Sequence, residues 1–192
     1  MTFKGKTALI TGAAVGIGRA TAITLAQNGA QVVIIDMDCA GLEKVKAEIE
    51  ALGGCAEAYV CDVSDESRVN EVTADAIEKF GKIDILVNNA ALWRGHSSFI
   101  ETPVEVWKKF FDVNIMGVVY CTRAVLPKML ENGYGRVINV ASVAGVYGNA
   151  NMAHYSATKG AVIAFTKALA KEVTDKGVLV NSVAPGSVSS SE

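Results

Sequence analysis

Several residue types and patterns are scarce or missing in this sequence, and each absence narrows the class of protein. The 192 residues include only three prolines and two histidines and contain no low-complexity tract. Hydrophobic residues make up 51% and charged residues 20%, which favours a folded chain over disorder. No apolar run is long enough to cross a membrane, and the first residues lack the layout of a signal peptide. We therefore expect a cytoplasmic protein with a single domain over residues 1–192.

No excess of one charge is present, and no cysteine pattern indicates a metal site. Lys and Arg number 18 and Asp and Glu number 20, and no basic stripe accumulates along the chain. This argues against nucleic acid as the main partner. The four cysteines form no Cys-x-x-Cys pair, and no histidine lies at ligand spacing from them. They are typical of small apolar residues in a reducing interior, so we expect no metal.

The sequence alternates short apolar runs with longer amphipathic stretches. The apolar runs predict strands at 7–10, 32–35, 56–61, 83–87, 136–140 and 178–183. The stretches between them predict helices at 17–28, 42–52, 69–80, 103–131 and 155–174. Continuous Val, Ile and Leu runs are typical of strands covered on both faces. We predict an α/β fold with a doubly wound parallel sheet (a Rossmann fold) and a ligand crevice beyond the carboxyl ends of the strands.

A glycine-rich turn joins the first predicted strand to the first predicted helix. It contains Gly12, Gly16 and Gly18, together with Val15 and Ile17. Glycines at such a turn let the backbone approach a pyrophosphate, and the amides at the helix start favour an anion. A glycine cluster alone is weak evidence, because many are ordinary turns. Its position between a strand and a helix indicates a dinucleotide-binding loop.

Asp36 ends the second predicted strand and is followed by Met37. A carboxylate at this point can accept hydrogen bonds from the adenosine ribose and would repel a 2′-phosphate. No Lys or Arg stands in the glycine loop or directly after Asp36. We therefore predict NAD(H) as the cofactor rather than NADP(H). The alternative is that Asp36 only caps the next helix.

Tyr155 and Lys159 lie four residues apart in a predicted helix, so both side chains leave the same face. Such a pair alone is weak evidence, but an ammonium beside a phenol favours the phenolate, which can accept a proton from an alcohol. Ser142 ends the fifth predicted strand and could hold a substrate oxygen, although a serine there is otherwise a routine turn residue. Asn114 lies inside a predicted helix, where asparagine is a mediocre choice, and its apolar neighbours favour a buried polar role.

Together these features resemble the short-chain dehydrogenase/reductase family, in its single-domain branch. The resemblance runs from Lys6 to the last residue and covers motifs in the family's order. The motifs are the Thr-Gly-x-x-x-Gly-Ile-Gly loop, Asp62-Val63, Asn88-Asn89-Ala90, Asn114, Ser142, Tyr155-x-x-x-Lys159 and Asn181-x-Val-Ala-Pro185-Gly186. The resemblance implies an oxidoreductase that interconverts a secondary alcohol and a ketone, with Tyr155 as general acid and base.

The resemblance also implies roles for individual positions. The catalytic set would be Asn114, Ser142, Tyr155 and Lys159, with Asn114 binding, through its main chain, a water linked to Lys159. Lys159 would also hold the nicotinamide ribose. The cofactor-binding set would be Gly12, Val15, Gly16, Ile17, Gly18, Asp36, Met37, Asp62, Val63, Asn88, Ala90, Tyr155, Lys159, Pro185, Gly186, Val188 and Ser190. Of these, Asp62 and Val63 would contact adenine, and Asn88 and Ala90 would lie along the cofactor and steady the central strand. Similar proteins form dimers or tetramers, so a homo-oligomer is expected.

Family members normally continue for several tens of residues beyond Ser190, with a last helix and a seventh strand. Those elements are absent from this sequence, so we expect it to be a fragment or an ordered part; the alternative is a protein that truly lacks them.

Candidate substrate-wall residues form a largely apolar set that suits a secondary alcohol or ketone on an aliphatic, alicyclic or steroid-like body: Leu92, Trp93, His96, Val143, Tyr147, Asn149 and Met152. His96 is equally well explained as a solvated loop residue.

Two other functions stay open at this point. Many relatives with these motifs act as 3-oxoacyl-carrier-protein reductases, which commonly prefer NADPH, so Asp36 counts against that function. A catalytically idle dinucleotide-binding protein is the alternative of another class. The presence of Ser142, Tyr155 and Lys159 together counts against an idle protein.

Overall fold

A parallel sheet of six strands forms the centre of the computed structural model, which describes residues 2–187. The strands are β1 (Thr7–Thr11), β2 (Gln31–Asp36), β3 (Cys55–Val60), β4 (Ile85–Asn88), β5 (Gly135–Val140) and β6 (Val178–Val183). Their order is β3-β2-β1-β4-β5-β6, and each neighbouring pair is parallel. This confirms the predicted doubly wound α/β fold.

Helices connect the strands and cover both faces of the sheet. They are α1 (Gly16–Gln27), α2 (Cys39–Ala51), α3 (Glu66–Phe80), α4 (Val104–Phe111), α5 (Gly117–Glu131), α6 (Ala144–Tyr147) and α7 (Ala153–Val173). A π-helical turn, Asp112–Met116, joins α4 to α5, and a 3-10 turn, Thr174–Lys176, follows α7. Within residues 2–187, none of these helices combines the length and the apolar character that a membrane span requires.

Two hydrophobic cores lie on opposite faces of the sheet, as the alternation of side chains along a strand requires. On one face, Ala8 and Ile10 of β1 pack with residues of α1 and α2. On the other face, Leu9 of β1 packs with residues of α3, α5 and α7. Burial on both faces explains why these strands read as continuous apolar runs.

The stretch 103–131 differs from the single helix that its periodicity predicts. The π-helical turn interrupts it, and Asn114 in that turn is 1% exposed. The side chain of Asn114 bonds to groups far away in sequence, at Leu92 and Thr158, and no local pattern reports those bonds. β4 also begins at Ile85 rather than at 83, because the Asp84 carboxylate accepts a hydrogen bond from Thr7 N at 3.0 Å.

The direction of strand succession reverses between β1 and β4, which are neighbours in the sheet. In open α/β sheets such a point opens a crevice at the carboxyl ends of the strands. On the outer side, β6 forms the sheet edge, and Val183 is 49% exposed. An apolar groove of about 410 Å³ runs beside this edge, lined among others by Leu25, Ile138 and Leu179.

Candidate active site

The glycine loop after β1 has the backbone shape and the close contacts that require glycine. Gly12 has φ +64° and Gly16 has φ +57°, both in the left-handed region. A Cβ on Gly12 would lie 2.8 Å from the Ala90 Cα, and a Cβ on Gly18 would collide with the Gly12 carbonyl. Gly16 has open space around it, so conformation alone selects glycine there. The loop therefore presents bare backbone at the start of α1.

Hydrogen bonds join the glycine loop to the segment after β4, across the crevice between β1 and β4. The Asn89 Nδ2 donates to the carbonyls of Thr11 at 3.0 Å and Gly12 at 2.9 Å. In return, the Thr11 Oγ1 accepts from the main-chain N–H groups of Asn89 and Ala90, each at 2.9 Å. Asn89 and Thr11 were absent from the predicted site. The Asn88-Asn89 pair directly after a strand was the signal that could have pointed to Asn89.

Asp36 lies against the glycine loop. Its Oδ2 accepts from Ala14 N at 3.0 Å, and its Oδ1 accepts from Asp38 N at 3.1 Å. The N-cap of α2 is Asp38, whose side chain accepts from Gly41 N, so Asp36 does not cap this helix. Met37 beside it is 67% exposed, which leaves the mouth of the loop open. A ribose placed at this mouth would meet the Asp36 carboxylate.

The other predicted nucleotide contacts occupy the neighbouring strand ends, but their side chains also have internal partners. The Asp62 Oδ1 accepts from the main-chain N–H and the hydroxyl of Ser64, at 2.9 and 2.7 Å. Val63 is 6% exposed and packs against Gly117. The Ile17 side chain is half-buried, at the start of α1. Asp62 and Val63 thus carry structural contacts that the sequence motif alone does not reveal.

The side chain of Asn88 is also buried and hydrogen-bonded within the protein. It is 3% exposed, and its Nδ2 donates to the Thr122 Oγ1 at 3.2 Å and to the Asn139 Oδ1 at 2.8 Å. These bonds tie β4 to α5 and β5. The side chain of Asn88 therefore steadies the central strands, which leaves the main chain after β4 to line the crevice.

Tyr155 and Lys159 lie on one face of α7, as their spacing predicts. The Lys159 Nζ is 5.8 Å from the centre of the Tyr155 ring. The same Nζ donates to the Val140 carbonyl at 2.7 Å, which anchors the ammonium to the end of β5. Lys159 is only 3% exposed, and burial lowers its pKa to about 8. A cation is thus held beside a phenol in a shielded place.

Ser142 lies two residues beyond Val140, in the segment that leads into α6. Its Oγ accepts from Ala144 N at 3.2 Å. α6 packs directly on the backbone of α7, since a Cβ on Gly145 would lie 2.6 Å from Gly160 N. This close contact brings the Ser142 segment to the turn of α7 that carries Lys159. Ser142, Tyr155 and Lys159 are therefore gathered at the carboxyl end of β5.

The segment after β6 reaches the same end of the sheet. The Pro185 carbonyl accepts from Val143 N at 3.1 Å, and Gly186 is exposed. Val188 and Ser190, which were predicted to meet the nicotinamide, lie outside the described residues. Among residues 2–187, no three His, Cys, Asp or Glu side chains are grouped so that they could hold a metal ion.

The comparison with known families agrees with this geometry. The sequence model described as short chain dehydrogenase matches residues 6–192, nearly the whole chain. The chain belongs to the short-chain dehydrogenase family.

Known relatives of this short-chain dehydrogenase include enzymes with different substrates. It is 41% identical to a 3-oxoacyl-[acyl-carrier-protein] reductase of Thermotoga maritima, over 97% of this chain and 75% of that protein. It is 40% identical to a cyclohexanol dehydrogenase of an Acinetobacter species, over 96% of this chain and 73% of that protein. A crystal structure of NAD+-bound xylitol dehydrogenase superposes with a TM-score of 0.94 at 38% identity, over 97% of this chain and 72% of that one.

Two loops of this short-chain dehydrogenase carry most of the predicted substrate-wall residues, and Tyr147 ends α6. The loop around 93–98 is joined to the loop around 148–152 by a hydrogen bond from Ser97 N to the Asn151 carbonyl, at 3.0 Å. Trp93 and Tyr147 are 56% and 84% exposed, and Met152 is buried. His96 is exposed, as expected for a solvated loop residue. Trp93 and Tyr147 thus expose large aromatic surfaces, and the Arg94 guanidinium lies 4.9 Å from the centre of the Trp93 ring.

Proposed function

We propose that this short-chain dehydrogenase interconverts a secondary alcohol and a ketone with NAD(H), and that Tyr155 is its general acid and base. The observation that carries the proposal is the buried Lys159 ammonium, held 5.8 Å from the Tyr155 ring centre and bonded to the end of β5. A cation in this position would stabilise the negative charge that develops on Tyr155 during proton transfer.

In the oxidation direction, the Tyr155 phenolate accepts the proton of the substrate hydroxyl while the carbinol carbon loses hydride. The C–O bond becomes a carbonyl, and the phenol carries the proton. Bound NAD supplies the nicotinamide carbon that accepts the hydride. Ser142 holds the substrate oxygen beside the phenol, and Lys159 balances the charge on the phenolate. Ketone reduction is the reverse of each step.

The preference for NAD(H) rests on Asp36 at the mouth of the glycine loop. Its carboxylate would accept hydrogen bonds from the adenosine ribose and would repel a 2′-phosphate. Val15 and Met37 flank this place and are 68% and 67% exposed, and neither carries a positive charge. Similarity to an NAD+-bound xylitol dehydrogenase supports the same cofactor.

For the substrate, the exposed apolar surfaces of Trp93 and Tyr147 favour a neutral, compact alcohol. Similarity to a cyclohexanol dehydrogenase supports an alicyclic one. A 3-oxoacyl-[acyl-carrier-protein] reductase is the second candidate, because a relative of that name is 41% identical. Asp36 counts against it insofar as such a reductase uses NADPH.

The test replaces Tyr155 with Phe and measures turnover and cofactor binding separately, over a panel of secondary alcohols with NAD. We expect turnover to fall by about 100-fold to 10,000-fold, since the general acid and base is lost. NADH should still bind, as followed by fluorescence, because the change leaves the glycine loop and Lys159 intact and removes only one of the predicted cofactor contacts. The matched control is Tyr134→Phe, which removes a phenol beside Lys6 and Arg136 at the start of β5.

Retained turnover in Tyr155→Phe would overturn the mechanism. Binding of NADH without turnover of any alcohol or ketone by the unaltered protein would instead favour the idle dinucleotide-binding alternative. Tighter binding of NADPH than of NADH would favour the reductase.

A further inference from the structure

Thr158 lies between Tyr155 and Lys159 in α7 and has no part in the proposed chemistry. It is a polar residue with 0% exposure, so its hydroxyl is cut off from water. A buried hydroxyl needs partners within the protein. The hydrogen-bond partners of the Thr158 hydroxyl connect three separate segments around the candidate active site.

The first partner is Asn114 in the π-helical turn. Both hydrogens of the Asn114 amide are used: Nδ2 donates to the Leu92 carbonyl and to the Thr158 Oγ1, each at 3.0 Å. The Asn114 Oδ1 accepts from Leu92 N at 2.7 Å. Leu92 belongs to the loop after β4, which carries candidate substrate-wall residues. Thr158 is therefore the group that ties Asn114 and this loop to α7.

The second partner is Tyr155 itself. The Thr158 Oγ1 donates its hydrogen to the Tyr155 carbonyl at 2.8 Å. One hydroxyl thus accepts from Asn114 and donates to the residue that carries the phenol. π-helical turns are rare and occur often at functional sites, and this one is held in place by side-chain bonds.

We propose that Thr158 is a positioning residue that fixes the π-helical turn and the Leu92 loop relative to Tyr155. It does not touch the reacting atoms, and it acts through Asn114 and the main chain of Tyr155. The inference rests on the proposed function, because positioning has a catalytic effect only if Tyr155 performs proton transfer. Without the hydroxyl, one N–H of Asn114 has no acceptor in a place that water does not reach.

The chain contains a matched pair of residues for comparison. Thr166, two turns further along α7, accepts from the Asn139 Nδ2 at 2.9 Å and donates to the Val162 carbonyl at 2.7 Å. Its burial is similar, at 4% exposure. The two threonines make the same kind of bond, but only Thr158 contacts the turn that carries Tyr155. A purely structural role predicts the same outcome at both positions.

The experiment compares Thr158→Val, Thr158→Ser and Thr166→Val with the unaltered protein. Valine has nearly the shape of threonine and no acceptor, whereas serine keeps the hydroxyl. In Thr158→Val we expect kcat to fall on the order of 10-fold to 100-fold, because misplaced groups lose the reactive geometry. The NADH dissociation constant should stay within about 2-fold, since the glycine loop is untouched. Thr158→Ser should recover most of kcat, and Thr166→Val should keep it.

A readout independent of turnover is amide hydrogen exchange at Leu92, whose N–H donates to Asn114. It should become about 10-fold faster in Thr158→Val and stay unchanged in Thr166→Val. An unchanged kcat or an unchanged exchange rate at Leu92 in Thr158→Val would overturn the proposal, and so would an equal loss of kcat in Thr166→Val. If the valine variant does not fold, Thr158→Ala removes the same acceptor with less crowding. The same changes in kcat and in Leu92 exchange are expected of it, and their absence overturns the proposal.

The activity of the unaltered protein distinguishes a failure of the proposed function from a failure of this inference. If the unaltered protein turns over no alcohol, the proposed function fails, and the exchange rate at Leu92 alone decides whether Thr158 fixes the turn. If the unaltered protein is active and Thr158→Val matches it in kcat, the function stands and the positioning role is wrong.

Discussion

The Asp36 carboxylate accepts hydrogen bonds from Ala14 N and Asp38 N and carries its charge at the mouth of the glycine loop. Asparagine at this position keeps an oxygen for one of those two bonds, puts an amide group in place of the other oxygen, and loses the charge. In Asp36→Asn we expect the preference for NADH over NADPH, as a ratio of dissociation constants, to fall at least about 10-fold. A factor of 10 corresponds to about 1.4 kcal/mol, which is modest for the removal of one repulsive charge. Fluorescence titration with both cofactors measures this ratio.

Asp65→Asn is the matched control, because Asp65 caps α3 and its carboxylate accepts from Arg68 N at 3.1 Å. It should leave the ratio unchanged. An unchanged ratio in Asp36→Asn would remove the charge argument for NAD(H).

Lys159 makes the stability of the fold depend on pH in the alkaline range. Burial lowers the pKa of Lys159 from 10.5 to about 8. Between these two values the unfolded chain binds a proton that the folded chain lacks, so stability rises as the pH rises through this window. Below pH 8 the fold carries the full cost of the buried ammonium, on the order of 3 kcal/mol.

We therefore expect Lys159→Met to gain stability relative to the unaltered protein at neutral pH, and to lose this advantage as the pH approaches 10.5. Urea unfolding of both proteins from pH 7 to 10.5 measures the difference in unfolding free energy. The Val140 carbonyl loses its hydrogen bond in the variant, which shifts the difference by a constant amount. A difference that does not change with pH would contradict the expectation.

Among the elements, the contact between α6 and α7 sets how closely Ser142 approaches Tyr155 and Lys159. A Cβ on Gly145 would lie 2.6 Å from Gly160 N, and backbone cannot yield as a flexible side chain does. In Gly145→Ala we expect α6 to move away from α7, with a loss of about 1–3 kcal/mol in unfolding free energy. The kcat should fall by about 10-fold or more, because Ser142 moves with α6.

Gly54→Ala is the control for crowding alone. Its Cβ would lie 2.8 Å from the Ile49 Cγ2, near the start of β3 and far from α7 in the fold. It should lower stability and leave kcat unchanged. Equal kcat values in the two variants would show that the position of α6 does not matter for turnover.

Elements with strong local patterns could be predicted from sequence, and elements that depend on distant partners could not. The apolar runs of the sequence predicted β1 and β2. The alternation of apolar runs with amphipathic stretches predicted the alternating order of strands and helices. The break at 112–116 could not be foreseen, because Asn114 bonds to Leu92 and Thr158, which are 22 and 44 residues away. The local sequence there remains compatible with an uninterrupted helix.

The same distinction holds within the candidate site. Tyr155 and Lys159 share a helix face, so their spacing alone places them together. The bond from Lys159 to Val140 spans 19 residues and the bonds from Asn89 to the glycine loop span 77 or more, so they depend on how the strands pair. The family motif implied that Asn88 steadies the central strand, and its side chain joins β4 to β5 and α5, but the partners Thr122 and Asn139 could not be read from the motif.

In the whole molecule, the sheet divides into two halves that meet where β1 pairs with β4. The half with β3, β2 and β1 carries the glycine loop, Asp36 and Asp62. The half with β4, β5 and β6 is connected to the segments with Asn114, Ser142, Tyr155 and Lys159. Bonds between Asn89 and the glycine loop cross this line.

Under the proposed function, this division would let cofactor preference and substrate preference evolve separately. A recombination event between α3 and β4 would then combine the proposed cofactor-binding half of one parent with the proposed catalytic half of the other in a single crossover. The hybrid must keep the contacts that cross this boundary, among them the pairing of β1 with β4, the packing of α3 against α5, and the bonds of Thr11 with Asn89 and of Thr7 with Asp84. Proteins with this sheet could thus change substrate specificity while keeping the same cofactor preference.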